Sequence, residues 1–500
     1  MTTSSTNAAR FRLVLTTVAT LALAGAFAGA PAAQAQDATE TSHVLARAIF
    51  EQLIEINTTD SVGSVTAAAA AMQKRFLDAG FPAADVHLLG PNDRKQNLVV
   101  RFRGINGSAR NGSGSSDSQK PILLIGHLDV VEARREDWTT DPFKFLEKDG
   151  YFYGRGTQDM KDGDAILVAN LLRLKQEGYR PNRDIVLALT ADEEGGKSNG
   201  VDWLLQHHRE LINAEFVLNH DGGGVETEHG KPVIFAVDAS EKMYADYQLV
   251  VTNSGGHSSL PRPDNAIYEL TDALGRLQHF SFPTELNPVT RAYFAAESKL
   301  ESGQVAEDMR AMAEQPPAAS AVERLSANPE YNALLRTTCV ATRLDAGHAN
   351  NALPQRAEGN VNCRILPGHS KEEIRQQLIK VLNQPKMTVR YVDNAGQAFD
   401  QAPAQQALPA AKLLPQVMDP LQPIVSRLWP NTPIVPTMAA GASDGIYTNA
   451  AGLPTYGISG VAIDRDDVRA HGRDERVPVA SFYRGVDFYY SYLKALTGGG

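Results

Sequence analysis

The residues with the clearest chemical potential stand just past apolar runs. Ile122–Ile125 opens into Gly126-His127-Leu128-Asp129. Residues two apart share a face on an extended backbone, so the Asp129 carboxylate could reach His127 and fix its tautomer. Taken alone, His-x-Asp fits an ordinary structural pair equally well. Gly154-Arg155-Gly156-Thr157-Gln158-Asp159-Met160-Lys161-Asp162-Gly163 offers a tight turn that exposes one carboxylate ahead of a helix, or a helix N-cap. Ile185–Leu189 runs into Thr190-Ala191-Asp192-Glu193-Glu194-Gly195-Gly196. Three adjacent acids after a buried strand are costly unless a cation neutralises them; the alternative is a solvated turn. Phe216–Leu218 ends in Asn219-His220-Asp221, and His471 sits in the polar loop Ala470–Arg476. A lone loop histidine is usually surface. Together these residues are two histidines and several carboxylates at strand ends, a ligand set that suits zinc.

In series, Gly126–Asp129, Gly154–Gly163, Asp192–Gly196, Asp221, Gly255–Ser259 and His471–Arg476 resemble the zinc-dependent family of glutamate carboxypeptidase, carboxypeptidase S, aminoacylase, acetylornithine deacetylase and succinyl-diaminopimelate desuccinylase. The motifs keep the family's order across nearly the whole chain. The resemblance implies two zinc ions, with cobalt or manganese as substitutes, bridged by Asp159. His127 and Asp221 would complete one metal, and Glu194 and His471 the other. Glu193 would be the general base for a water shared by the metals, with Asp129 orienting His127. By the same resemblance His257 would stabilise the oxyanion, and Asn351 and Arg364 would bind substrate, Arg364 gripping a carboxylate. A strand-end salt bridge is the other reading of Arg364. Gly441–Gly445, containing Asp444, resembles a family loop without an assigned role.

The elements that must position these residues follow a strand–helix rhythm. Helices are expected over Val44–Ile56, Ser64–Ala79 and Asp164–Gln176, and strands over Asn97–Phe102, Ile122–Ile125, Ile185–Leu189 and Phe216–Leu218. That rhythm indicates an α/β layer with a mostly parallel central sheet. From Tyr244 the order becomes strand, helix, strand, strand, helix, strand, the plan of an inserted α+β ferredoxin-like lid or dimerisation domain. The expected division is a signal peptide over 1–35, a catalytic domain over 36–241 and 399–500, and a lid over 242–398. A helical insertion is expected near 282–332. Gly104–Lys120 reads as a surface loop.

Arg10 and Arg12, the uncharged run Leu13–Ala30 and Ala33-Gln34-Ala35 have the layout of a secretory signal cleaved after Ala35. Export to the periplasm or outside the cell follows, with no membrane partner after cleavage. Removing those two arginines from 48 basic residues leaves 46 against 58 acidic ones, a net charge of −12, which argues against nucleic acid. Cys339 and Cys363 are too few for a thiolate site; export allows one disulfide, but two buried free thiols are the favoured reading.

The expected activity is that of an exported di-zinc exopeptidase, a carboxypeptidase or dipeptidase cutting an amide beside a carboxylate. An N-acyl amino acid deacylase is the alternative, and a homodimer is compatible with either. A non-catalytic binding protein on the same fold would have lost a ligand or Glu193, and none is missing. A serine hydrolase lacks its Gly-x-Ser-x-Gly elbow.

Overall fold

The computed structural model describes residues 30–106, 119–393, 396–403 and 412–498. Residues 1–29 of the expected signal peptide and 107–118 of the expected surface loop lie outside them.

The central sheet is ten-stranded. Its middle is parallel: Ile185–Thr190, Ile122–His127, Phe216–Asn219 and Thr455–Gly457 lie side by side. Asn97–Phe102 and Val86–Leu89 extend one edge antiparallel. On the other side come Lys231–Glu241, Gly224–Glu228, Ala462–Asp464 and Ile434–Ala439. The continuous apolar runs in the middle strands have a direct cause, which is that both sheet faces are covered. Ile122 and Leu124 enter the large core built with Ile166, Leu171 and Phe482 from the helices Lys161–Gln176 and Val479–Thr497. Leu123 and Ile125 enter the opposite core with Leu204 and Ile212. Burying such a side chain contributes about 1.5–3 kcal/mol. Three neighbouring parallel strands therefore end together, at His127, Thr190 and Asn219, and their loops emerge at one sheet edge, where ligands of open α/β sheets collect.

The second unit is a five-stranded antiparallel sheet in the order Thr338–Ala346, Arg356–Ile365, Met243–Thr252, Met387–Val392, Ala398–Phe399. Helices Ala266–Gln278 and Lys371–Leu382 share its core through Leu249, Leu270, Val361 and Leu378. Ser370 and Glu373 form a capping box at the start of the second of these helices.

Four helices, Pro288–Glu297, Gly303–Met312, Ala319–Ser326 and Pro329–Leu335, occupy the insertion and have a small core of their own. The insertion does more than cover the lid: Tyr293 and Ala296 pack against Ile234, Ala236 and Val435 of the central sheet.

One expectation is corrected. Cys339 and Cys363 are not free thiols but a disulfide. They face one another on adjacent antiparallel strands with Cα atoms 4.1 Å apart, so the side chains meet where the register puts them.

Candidate active site

The cluster assembles at the shared sheet edge. His127 ends its strand and is buried, and its Nδ1 lies 3.0 Å from the main-chain carbonyl of Asp129. A carbonyl only accepts, so Nδ1 carries the hydrogen and the lone pair of the neutral ring sits on Nε2. That Nε2 is buried without a hydrogen-bond partner and faces three carboxylates: Asp159 at 3.1 Å, Asp221 at 3.9 Å and Glu193 at 4.0 Å. On the far side of Asp159, His471 Nε2 lies 3.0 Å from the other carboxylate oxygen and 2.9 Å from Glu194. Each oxygen of Asp159 thus faces a different histidine.

Ligand atoms about 2.0–2.2 Å from a tetrahedral zinc stand roughly 3.3–3.6 Å apart. The separations here, 2.9–3.9 Å, bracket that spacing. An inward-aimed histidine lone pair among carboxylates is unfavourable unless a cation lies between them, so the donor set fits a pair of divalent metals. The electrostatics agree. Burial first, then neighbouring negative charge, pushes the carboxyls of Glu193, Glu194 and Asp221 above their ordinary range. Burial opposes protonation of His127, yet Asp159, Glu193 and Asp221 hold its pKa well above normal. Asp159 is no helix cap: helix Lys161–Gln176 follows Met160 without a side-chain cap.

Asp129 is close by, but its carboxylate does something other than the expected orientation of His127. It stands 3.8 Å from Nδ1, which instead meets the Asp129 carbonyl. The carboxylate accepts the backbone N–H groups of Glu193 (3.2 Å) and Glu194 (3.0 Å) and so fixes the turn carrying both acids. That turn has further supports which the sequence alone did not reveal. Asp192 has a left-handed backbone, φ 59°, and its buried side chain pairs with Lys95 and accepts from Ser198 N. Asn97 accepts from Ala191 N. Asp444 accepts from Thr190 Oγ1 and Asn199 Nδ2 at 3.1 and 2.6 Å, which gives the Gly441–Gly445 loop a place beneath the acidic turn.

His257, Asn351 and Arg364, the residues expected to contact the oxyanion and the substrate, lie on the second unit and are not gathered together. His257 and Asn351 are exposed on a small ribbon in which Gly256–His257 pairs with Ala352–Leu353. Arg364 lies at the opposite end of strand Arg356–Ile365, eight residues or about 26 Å further on. Its guanidinium stacks 4.8 Å over Tyr244 and forms no ion pair among the described residues, so the salt-bridge reading is not met there.

Residues 123–495 match peptidase family M20/M25/M40. The chain belongs to that family. It is 29% identical over 432 residues to the probable carboxypeptidase S-like 2 of Dictyostelium discoideum, covering 84% of this chain and 78% of that protein. It is 28% identical over 397 residues to the N-fatty-acyl-amino acid synthase/hydrolase PM20D1 of Mus musculus, covering 76% and 75% respectively. Among solved structures, the M20 metallo-carboxypeptidase Sso-CP2 from Sulfolobus solfataricus has the same fold, with a TM-score of 0.65 at 16% identity over 90% of this chain and 99% of that one. M20 enzymes are metal-dependent hydrolases, and membership makes this chain a metallo-exopeptidase or amidohydrolase acting on small peptides or acyl amino acids. Among the described residues, the ligand atoms of His127, Glu193 and Asp221, and those of His127, Asp159 and Glu194, lie within 4.8 Å of one another in each group.

Proposed function

We propose that this chain is an exported two-zinc hydrolase that cleaves the amide bond next to a free carboxylate, as a carboxypeptidase or dipeptidase. The observation that carries the proposal is Asp159, whose two oxygens face His127 and His471 from opposite sides while Glu193 stands beside the pair. Zinc ions held by His127, Asp159 and Asp221 and by Asp159, Glu194 and His471 would polarise the scissile carbonyl and acidify water; cobalt or manganese suits the same donors. Glu193, acting as the carboxylate with its proton affinity raised by burial, takes a proton from the attacking water and passes it to the departing amine. Asp129 keeps Glu193 and Glu194 in register for these separate tasks. Arg364, a cation without an acidic partner among the described residues, binds the substrate carboxylate.

His257 and Asn351 serve the same site from a second copy of the chain. One lid cannot easily present Arg364 and His257 to the same substrate when they occupy opposite ends of its sheet, whereas paired chains exchange those ends. Export follows from the leader pattern, and among the described residues no helix is long and apolar enough to cross a membrane.

N-acyl amino acid hydrolysis is the second reading, favoured by the relative named for N-fatty-acyl amino acids. A panel of dipeptides, blocked peptides and N-acyl amino acids separates the two. Preferential release of a C-terminal residue from peptides supports the first; preference for fatty-acyl amino acids selects the second. Mixing inactive His257→Ala and Glu193→Ala chains tests the exchange: activity returns in mixed dimers if His257 acts across the interface, and stays lost if it acts within its own chain.

A further inference from the structure

The loop that brings His471 to the cluster has no secondary structure between Asp464 and Arg476, and the His471 side chain is 56% exposed. Two of its non-glycine residues, His471 and Asp474, hold left-handed backbones with φ 62° and 52°. Such conformations persist in L residues only where surrounding contacts impose them. Arg155 reaches the His471 carbonyl, Thr139 and Arg469 hold Asp474, and the network that carries Arg155 is centred on Glu475, whose side chain is 0% exposed. Its Oε1 accepts the backbone N–H of Gln158 (2.6 Å) and Asp159 (3.1 Å). Its Oε2 accepts the N–H of Gly156 (3.1 Å) and Nη1 of Arg155 (2.5 Å). Arg155 in turn donates through Nη2 to the carbonyls of Gly472 (2.9 Å) and His471 (3.4 Å). Gln158 closes the circuit, donating to the carbonyls of Asp467 and Arg476 and accepting from the backbone of Arg469 and Ala470.

We propose that Glu475 is a positioning residue that locks the Asp159 loop to the His471 loop and thereby sets the geometry of one metal position, that of Asp159, Glu194 and His471. The proposal rests on the two-metal reading of the site. The other position shares Asp159 but takes its remaining ligands from a strand end, His127, and from the Asn219 turn, Asp221, neither of which touches Glu475 among the described contacts. The effect therefore falls mainly on the position that also needs the His471 loop. In Glu475→Gln one oxygen becomes an amide NH2 that faces donors, and Arg155 loses its buried ion-pair partner, so the loops separate although the fold's cores are untouched.

The test is zinc titration of the metal-free, full mature chain against a competing chromophoric chelator, with thermal melts of each metal-free variant alongside. Wild type is expected to take two zinc ions. Glu475→Gln is expected to bind the zinc of the Asp159, Glu194 and His471 position 10- to 100-fold more weakly, about the effect of losing an outer partner of a metal ligand, and to lose clearly less at the other position, which depends on Glu475 only through Asp159. Unchanged affinity at both positions in a folded Glu475→Gln chain overturns the positioning role and leaves the two-metal reading intact. Equal weakening at both also overturns it, since that reports general loosening. Failure of wild type to bind zinc removes the two-metal reading and this role with it. If Glu475→Gln does not fold, Gln158→Met tests the same lock without a buried charge. It should weaken zinc at the Asp159, Glu194 and His471 position about 5-fold, on the scale of a lost neutral hydrogen bond, and wild-type binding by that variant overturns the proposal.

Discussion

Asp129→Asn separates what the sequence suggests about this residue from what the structure assigns to it. The substitution preserves shape and keeps the main-chain carbonyl that receives His127 Nδ1. It replaces one of the two carboxylate oxygens that receive Glu193 N and Glu194 N at 3.2 and 3.0 Å with an NH2 facing an N–H. A hydrogen bond to a charged acceptor contributes about 1.5–3 kcal/mol, and one of the two is lost outright. If about 2 kcal/mol of that loss appears as misplacement of the base, kcat falls roughly 30-fold. Metal affinity at the His127 position should hardly change, because the contact that sets its tautomer survives. Steady-state kinetics at saturating zinc, paired with zinc competition titration, reads both quantities. A 10- to 100-fold loss of zinc affinity with kcat intact would show that the carboxylate acts on His127 after all, and would refute the assignment.

Three further outcomes are expected. Lys95→Met leaves the buried Asp192 carboxylate without its cation and should cost about 3 kcal/mol in urea unfolding, with a lower kcat from the loosened turn; a change within about 0.5 kcal/mol would mean that Lys95 does not hold it. Reducing Cys339–Cys363, 24 residues apart, should lower stability by about 3 kcal/mol and shift the thermal transition, leaving zinc stoichiometry untouched; reduction without a shift contradicts this. His369 sits 2.8 Å from Glu285 and 3.2 Å from Glu373; burial lowers its pKa, but the two carboxylates outweigh it and the net shift is upward. A raised folded pKa means that the stabilisation is fully present below pH about 6.5 and fades as pH rises through the folded value. His369→Ala should therefore cost more unfolding free energy at pH 6 than at pH 9, by about 0.5 kcal/mol for this partly exposed cluster, and an equal loss at both pH values in urea unfolding would exclude the charge effect.

Much of the cluster was legible because its residues follow apolar strands. A strand buried on both faces announces itself as an unbroken run, and the residues just beyond it have a fixed place at the sheet edge. His127, Glu193, Glu194 and Asp221 are of this kind, and Asp159 and His471 join them by the order of their motifs. What stayed hidden are contacts between residues far apart in the chain. Glu475 reaches Gly156 from 319 positions away, and Asp444 reaches Thr190 from 254, and no local pattern encodes either. Asp129 was placed on the correct side of its strand, but the choice between its carboxylate and its carbonyl as partner of His127 depends on where the acidic turn folds back. The strands Lys231–Glu241 and Ile434–Ala439 escaped notice because they pair with one another across the lid insertion. The disulfide escaped because register between Thr338–Ala346 and Arg356–Ile365 decides it, and register is not a property of either strand alone.

The most direct test of the two-metal account is hydrolysis of a cleaved dipeptide or N-acyl amino acid by the mature chain, metal-depleted and then reconstituted, beside Glu193→Ala. The account predicts that chelation abolishes turnover and that two equivalents of zinc restore it. Glu193→Ala should still bind both metals while turning over 10²- to 10⁴-fold more slowly, about the contribution of a general base. Turnover that survives chelation, or a Glu193→Ala chain as fast as wild type, would contradict it.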